Sequence, residues 1–234
     1  MKFCHKSAID LVAKVNNYDF SSVVKNGDSV TDNGIDKRTR MKTEWQKMQD
    51  GEIYNDFDQD LFYRRVEAKK LFRAYNRLAD DQIDERNGIL QRLFRSVGRN
   101  VWIEPDFRCE FGKNIIIGND VYINFGCVIL DCGIVSIGNS TLIGPNVGLY
   151  SGNHAIDAGE RIIGGLVPKP ISIGNRVWIC GNVNVVPGVT IGDNTIIGAG
   201  SVVTHNIPSG VIAAGNPCRV LRKIGPEDKI GYKP

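Results

Sequence analysis

Between Ile173 and Val203 an aliphatic residue returns at every sixth position: Ile173, Ile179, Val185, Ile191, Ile197 and Val203. Two residues before each of the later five stands a second small or apolar side chain, Val177, Val183, Val189, Thr195 and Ser201. A period of six fits neither a helix nor the plain alternation of a half-buried strand. It predicts a hexapeptide-repeat β-helix, in which three short strands and three turns close one triangular coil. Each six-step residue then points into the prism, and residues eighteen apart stack. Gly174, Gly181, Gly188, Gly192 and Gly198, with Asn and Asp beside several of them, are expected to supply the turn conformations.

The period extends upstream with interruptions. Ile117, Ile123 and Ile129 set one register, Asp131-Cys132-Gly133 adds two residues, and the register resumes at Ile137, Ile143 and Leu149. Between Tyr150 and Pro170 it is lost in a polar, Gly-rich stretch, SGNHAIDAGERIIGGLVPKP. Excursions of this kind are where repeat architectures carry function. Downstream, Ile207-Pro208 ends the strands, and a last coil leads through Gly215-Asn216-Pro217 into a short basic helix or strand. The charged tail is expected to cap the open end of the solenoid, whose strand edges would otherwise be unpaired.

Before the solenoid the pattern is helical. One helix begins at Thr43-Glu44-Trp45-Gln46, with Trp45 and Met48 on one side and Gly51 stopping it. Asp60 is placed to cap a second, whose stripe of Leu61, Val66, Ala68, Leu71, Phe72 and Tyr75 opposes Arg64, Arg65, Lys69, Lys70 and Arg73. Those basic residues read as a solvated face. A third helix, about 81–97, carries Ile83, Ile89, Leu90, Leu93 and Phe94. Three short helices cannot bury their stripes alone, so they are expected to pack on the solenoid or on a neighbouring chain. Residues 1–40 are polar and without sustained period, apart from a short amphipathic turn or two at Ile9, Leu11, Val12 and Val15. The expected organisation is an extension over 1–40, loosely held, a helical front domain over 41–99, a solenoid over 100–225 with a protruding loop at 151–170, and a tail over 226–234.

Composition narrows the partners. A net charge of +3 is too weak for a nucleic-acid surface, and no dense Lys/Arg run with interleaved aromatics is present. None of the six cysteines forms a CxxC pair, which reads as thiols in a reducing cytosol. The start, MKFCHKSAIDLVAKV, is interrupted by Asp10 and Lys14 and does not read as a signal peptide. No apolar run approaches the about 20 residues that span a bilayer. A cytoplasmic protein is expected.

The chain has three histidines, His5, His154 and His205. His154 sits in the stretch that breaks the repeat, where an imidazole could serve as general base. A zinc centre between solenoids needs three imidazoles around an open position, and His154 with His205 are too few, so no metal is expected. Trp178, beside the inward Ile179, should point outward and needs a subunit neighbour or an apolar ligand arm to cover it. Arg219, Arg222 and Lys223 form a basic cluster that is either a solvated face or a phosphate grip.

Taken together, Trp45…Gly51-Glu52-Ile53-Tyr54…Asp56, the repeats, the GNH loop, NRVWICGNVNVVPGVTIGDN and AAGNPCRVLRKI resemble the maltose and galactoside O-acetyltransferases, hexapeptide acyltransferases that use acetyl-coenzyme A. The resemblance covers about residues 42–228. It implies a mainly β fold, a left-handed parallel β-helix fronted by a small helical domain, assembled as a homotrimer with sites between neighbouring solenoids. It further implies His154 as catalytic base, removing a proton from a sugar hydroxyl that attacks the thioester directly in a ternary complex. Asp56, Glu110, Asn124, Asp131 and Cys132 fall at or beside its acceptor positions, with Cys132 where galactoside enzymes have a carboxylate. Asn124, Trp178, Gly181, Ala199, Thr204, His205, Arg219 and Arg222 fall at its cofactor positions, with His205 where the family usually has Lys. Two other readings stay open: a hexapeptide acyltransferase for an antibiotic, amino sugar or serine, and a non-catalytic solenoid scaffold.

Overall fold

Ile173 lies beside Ile191, Ile179 beside Ile197, and Val185 beside Val203, each pair in parallel register, so the sixfold period closes one coil every eighteen residues. These contacts belong to a computed structural model that describes residues 41–233; the extension expected over 1–40 lies outside them. Three parallel faces result. The first stacks Ser96–Val97, Ile115–Ile117, Val135–Ile137, Ile171–Ile173 and Thr190–Ile191. The second stacks Trp102–Ile103, Tyr122–Ile123, Leu142–Ile143, Trp178–Ile179, Ile196–Ile197 and Val211–Ala214. The third stacks Arg108–Cys109, Val128–Leu130, Gly148–Tyr150, Asn184–Val185 and Val202–Val203. The six-step residues fill the prism: Ile179, Val185, Ile191, Ile197 and Val203 are all fully buried. Thr195 and Ser201, equally buried, give their hydroxyls to the carbonyls of Pro208 and Gly198.

Of the five glycines expected to supply turn conformations, Gly188 does so, at φ 88°, and the other four do not. At the corner between first and second faces the left-handed conformation falls on Asn100, Asp120, Ser140, Arg176 and Asn194, with φ between 53° and 59°. The glycines two residues earlier are needed for space instead: a Cβ on Gly138 would meet the Gly174 carbonyl oxygen at 2.5 Å, and one on Gly174 would meet Asp193 Oδ1 at 2.4 Å. The room goes to a ladder of side-chain caps. Asn119, Asn139, Asn175 and Asp193 each accept, through Oδ1, a backbone N–H of the coil before, at 2.7–3.0 Å.

The helical front seals one end. Thr43 caps α1 (Glu44–Gln49) in a reciprocal box with Gln46. Asp58, rather than Asp60, caps α2 (Gln59–Tyr75), accepting from Leu61 N–H at 3.1 Å; Asp60 lies inside the first turn and pairs with Arg64. α3 (Ile83–Leu93) ends earlier than expected because Phe94 turns extended and packs edge-on against Phe107 inside the prism, centroids 5.7 Å apart. Ser96–Val97 is therefore already a solenoid strand, ahead of residue 100. Ala68, Phe72, Tyr75, Ile89, Leu90 and Leu93 share one core with the coils. Buried Arg86 closes this end, donating to Tyr75 Oη at 2.9 Å and Ile103 O at 2.7 Å between the rings of Tyr75 and Trp102. At the other end Arg219–Lys223 runs antiparallel to Val211–Ala214 and covers that edge. The tail does not: Ile230 and Tyr232 stand in solvent.

Candidate active site

The six-residue step is lengthened three times, each time on one corner, between the third and first faces: at Glu110–Asn114, at Asp131–Gly133, and at the excursion after Tyr150. That excursion is a flap with order of its own. Gly152–His154 and Gly165–Pro168 pair as an antiparallel hairpin, tipped by the short helix α4 (Ala158–Ile162) with Asp157 as its cap. The hairpin's second strand also pairs with Tyr54–Asn55 from the helical front. Leu166 thus lies between Tyr54 and His154 in one cross-strand row, and residues in such a row point to one face of the sheet. Two strand spacings put His154 about 10 Å from Tyr54 across the sheet. His154 itself is exposed, bordering an open cleft of about 870 Å³ between the flap and α1.

Under the flap Tyr54, Leu166, Phe111, Cys132, Met48 and Leu61 form a small core of their own. The Tyr54 hydroxyl is enclosed there with no hydrogen-bond partner among the described residues, and the Cys132 thiol lies beside it. Burial pushes the Cys132 thiol up to about 12 and raises the Tyr54 phenol, so both stay protonated near neutrality. Cys132 accordingly offers a neutral thiol where a carboxylate would bring charge.

Asp131 needs correction as an acceptor contact. Its side chain is fully buried, and its oxygens accept the backbone N–H groups of Glu110, Phe111 and Asn114 at 2.9–3.2 Å. It shapes the corner that carries Glu110 and does not reach solvent. Burial pushes its carboxyl up to about 7, with the surrounding N–H groups pulling the other way.

Arg65 was not on the sequence's list of site residues. Instead of facing water it turns inward at 13% side-chain exposure, pairs with Asp56 and Glu110, donates to the Asp56 carbonyl at 2.9 Å, and lies over the Phe111 ring at 4.8 Å. The signal was available. Leu61, Arg65, Ala68, Phe72 and Tyr75 recur at steps of four and three, so the arginine occupies a stripe position that an apolar residue would normally fill.

Most of the remaining predicted residues lie along the opposite edge of the third face. Asn124, Gly181 and Ala199 occupy the corner between second and third faces, the last two on successive coils and Asn124 two coils before Gly181. Trp178 stands next to that corner on the outer second face, half exposed, between Leu142 and Ile196. Among the described residues Gly181 N–H makes no hydrogen bond, whereas Ala199 N–H is directed at the Cys180 sulfur. Arg219, at the end of the same corner, spends one N–H on its neighbour's carbonyl and forms no ion pair among the described residues. Arg222 is not free as expected: its guanidinium makes a double hydrogen bond to Asp228, at 2.8 and 2.6 Å. Thr204 and His205, joined by a 2.8 Å contact, fall on the flap's corner, one face away from Trp178. The residues of the two edges, Cys132 and Asn124 for example, are separated by the width of a face, about 20 Å of extended chain.

A profile described as the maltose acetyltransferase hexapeptide capping motif matches residues 47–98, and one for the bacterial transferase hexapeptide matches 170–205. The galactoside O-acetyltransferase of Escherichia coli K12 is 41% identical over 80% of this chain and 92% of its own length. The chain belongs to the maltose and galactoside O-acetyltransferase family. Among solved structures, a maltose O-acetyltransferase from Clostridium difficile 630 superposes with a TM-score of 0.77 at 43% identity, covering 79% of this chain and 98% of that one. A galactoside acetyltransferase in complex with coenzyme A gives 0.76 at 39% identity, over 82% and 97%. The solenoid is the family's left-handed parallel β-helix. Among the described residues no helix is long and apolar enough to cross a membrane, and no group of three or more His, Cys, Asp or Glu is placed to hold a metal ion.

Proposed function

We propose that the chain transfers acetyl from acetyl-coenzyme A to a hydroxyl of a small sugar, with His154 as general base, in sites built between the subunits of a homotrimer. The observation that most supports this reading is the cross-strand row Tyr54–Leu166–His154, which sets the flap bearing His154 beside the strand that leads to Asp56 and over the small core that contains Cys132. Bound acetyl-coenzyme A supplies the activated acetyl group. An uncovered indole flanked by Leu142 and Ile196 suits the pantetheine arm, the small residues Gly181 and Ala199 give it room, and the uncommitted Gly181 N–H is available to a developing oxyanion. Arg219 is the free cation for the cofactor's phosphates; Arg222 would first have to exchange Asp228.

The acceptor hydroxyl loses its proton to the His154 imidazole as its oxygen bonds to the acetyl carbon; the carbon–sulfur bond then breaks, the imidazolium returns the proton to the departing sulfur so that the coenzyme leaves as thiol, and no acyl-enzyme is formed. Such a base contributes about 10²–10⁴-fold. The acceptor half lies on one edge of the third face and the Trp178–Gly181–Ala199 half on the other, so a neighbour related by threefold symmetry supplies the missing half. Five free cysteines among the described residues are in keeping with a cytoplasmic setting.

The test is release of coenzyme A thiol over a panel of neutral glycosides. Wild type should turn over at least one of them, and His154→Ala should lose two to four orders of magnitude in kcat while keeping its thermal midpoint, because the exposed imidazole makes no side-chain hydrogen bond among the described residues. Equal rates in the two proteins would remove His154 from catalysis.

A further inference from the structure

The Arg65 guanidinium sits between the carboxylates of two different elements: Asp56, which follows the Tyr54–Asn55 strand, and Glu110, at the first interrupted corner of the solenoid. It holds one oxygen of each. Among the described residues no hydrogen bond reaches the second oxygen of either. All three side chains keep some access to solvent, 13% for Arg65, 20% for Asp56 and 25% for Glu110. Asp56 is itself pinned to the flap, its N–H donating to the Gly164 carbonyl at 2.8 Å, and Glu110 is pinned from behind by Asp131 through its own N–H. The cluster therefore carries two carboxylates against one guanidinium, with two acceptor oxygens held at fixed positions at the foot of the flap that bears His154.

We propose that Arg65 is a positioning residue of the acceptor subsite, holding Asp56 and Glu110 so that their second oxygens receive two hydroxyl groups of an uncharged polyol. The excess negative charge turns away acceptors bearing a carboxylate or phosphate. The inference rests on the sugar-acetyltransferase reading above and adds to it the residue that organises the pocket and the charge class it accepts. A fork that reaches two carboxylates at once is a task for Arg and not for the point charge of Lys.

The experiment uses the full chain and measures both Michaelis constants for Arg65→Met, Arg65→Lys and Glu110→Gln, with the best neutral glycoside from the panel and its uronate counterpart. Arg65→Met should raise the glycoside KM about tenfold or more while the acetyl-coenzyme A KM stays within about twofold, and Arg65→Lys should recover part of the loss by keeping one ion pair. Glu110→Gln keeps a hydrogen-bond acceptor for Arg65 but removes the surplus charge, so its preference for glycoside over uronate should fall about tenfold. This variant carries the test if Arg65→Met does not fold. Arg65 as a mere tie between helix and coil would lower the thermal midpoint and leave both KM values unchanged, which overturns the proposal. So would an equal rise in both. Wild type inactive on every sugar overturns the parent reading and this one together; an active wild type with unresponsive variants overturns this one alone.

Discussion

The corner between first and second faces and the corner between third and first faces are turns of the same prism, built from one backbone period, yet they do opposite things. The first repeats with little change: Asn119, Asn139, Asn175 and Asp193 pass one hydrogen bond from coil to coil, and each step looks like the last. The second is lengthened three times, and each insertion carries a candidate site residue: Glu110 at one, Cys132 beside the buried Asp131 at the next, His154 on the flap. Stacking needs identity between layers, while a site needs several different groups at one place. A solenoid satisfies both by keeping two corners regular and inserting residues at the third.

That contrast predicts that damage to the regular stack costs stability and spares kinetics. The largest effect should come from Ile197→Ala, which removes a fully buried side chain between the coils of Ile179 and Ala213. The expected cost is about 2–5 kcal/mol in urea unfolding, with both KM values of the folded enzyme unchanged. A shifted KM without lost stability would break the division of labour.

Asp131 marks where the two regimes meet, a buried charge used to hold a site corner in shape. Its carboxyl lies at about 7 in the folded chain against an ordinary 3.8, so the folded chain keeps a proton that the unfolded chain has released between those values. This group's contribution is therefore present below about pH 4 and lost as pH rises through about 7. The urea midpoint of wild type should fall across that window more than that of Asp131→Asn, measured as the difference between the two proteins. A wild-type midpoint that rises relative to the variant would mean that the three N–H groups hold the carboxylate charged despite its burial.

On the regular corner, Arg176 is the one long side chain in the left-handed column, at φ 53°. Asn tolerates that conformation better, so Arg176→Asn should stabilise by roughly 0.5–1 kcal/mol, a few degrees in thermal midpoint. The substitution gives up an exposed 2.7 Å hydrogen bond to Asn194 and a weak attraction to the Asp193 carboxylate. No gain would show that the column carries no strain at this position.

The regular part of the fold was legible because a six-residue period has one structural meaning. Ile173 to Val203 could be placed on three faces by counting, and Trp178 turned outward by the same count. The glycines stood where they mattered for a different reason: contact between coils is a property of the stack and does not show in a single turn. The flap's hairpin was hidden because Gly152–His154 and Gly165–Pro168 are too short to signal strands, and the second is held by pairing with Tyr54–Asn55 about a hundred residues away. Arg65 was hidden by its charge, which suggests water to any reading based on polarity. Arg222 could be seen as basic but not as already paired with Asp228. Nor does any count reveal that Asn124 and Cys132 lie at opposite edges of one face.

That last separation underlies the central claim of the proposed function, that each site draws His154 from one subunit and Asn124 from its neighbour. The most direct measurement mixes subunits, co-expressing His154→Ala and Asn124→Ala chains in equal amount and assaying the mixed trimers. Each parent alone should be nearly inactive, whereas random mixing leaves about one half times one half, a quarter of the sites, intact. Recovery toward a quarter of wild-type kcat is the predicted result; mixed trimers no more active than their parents would contradict it.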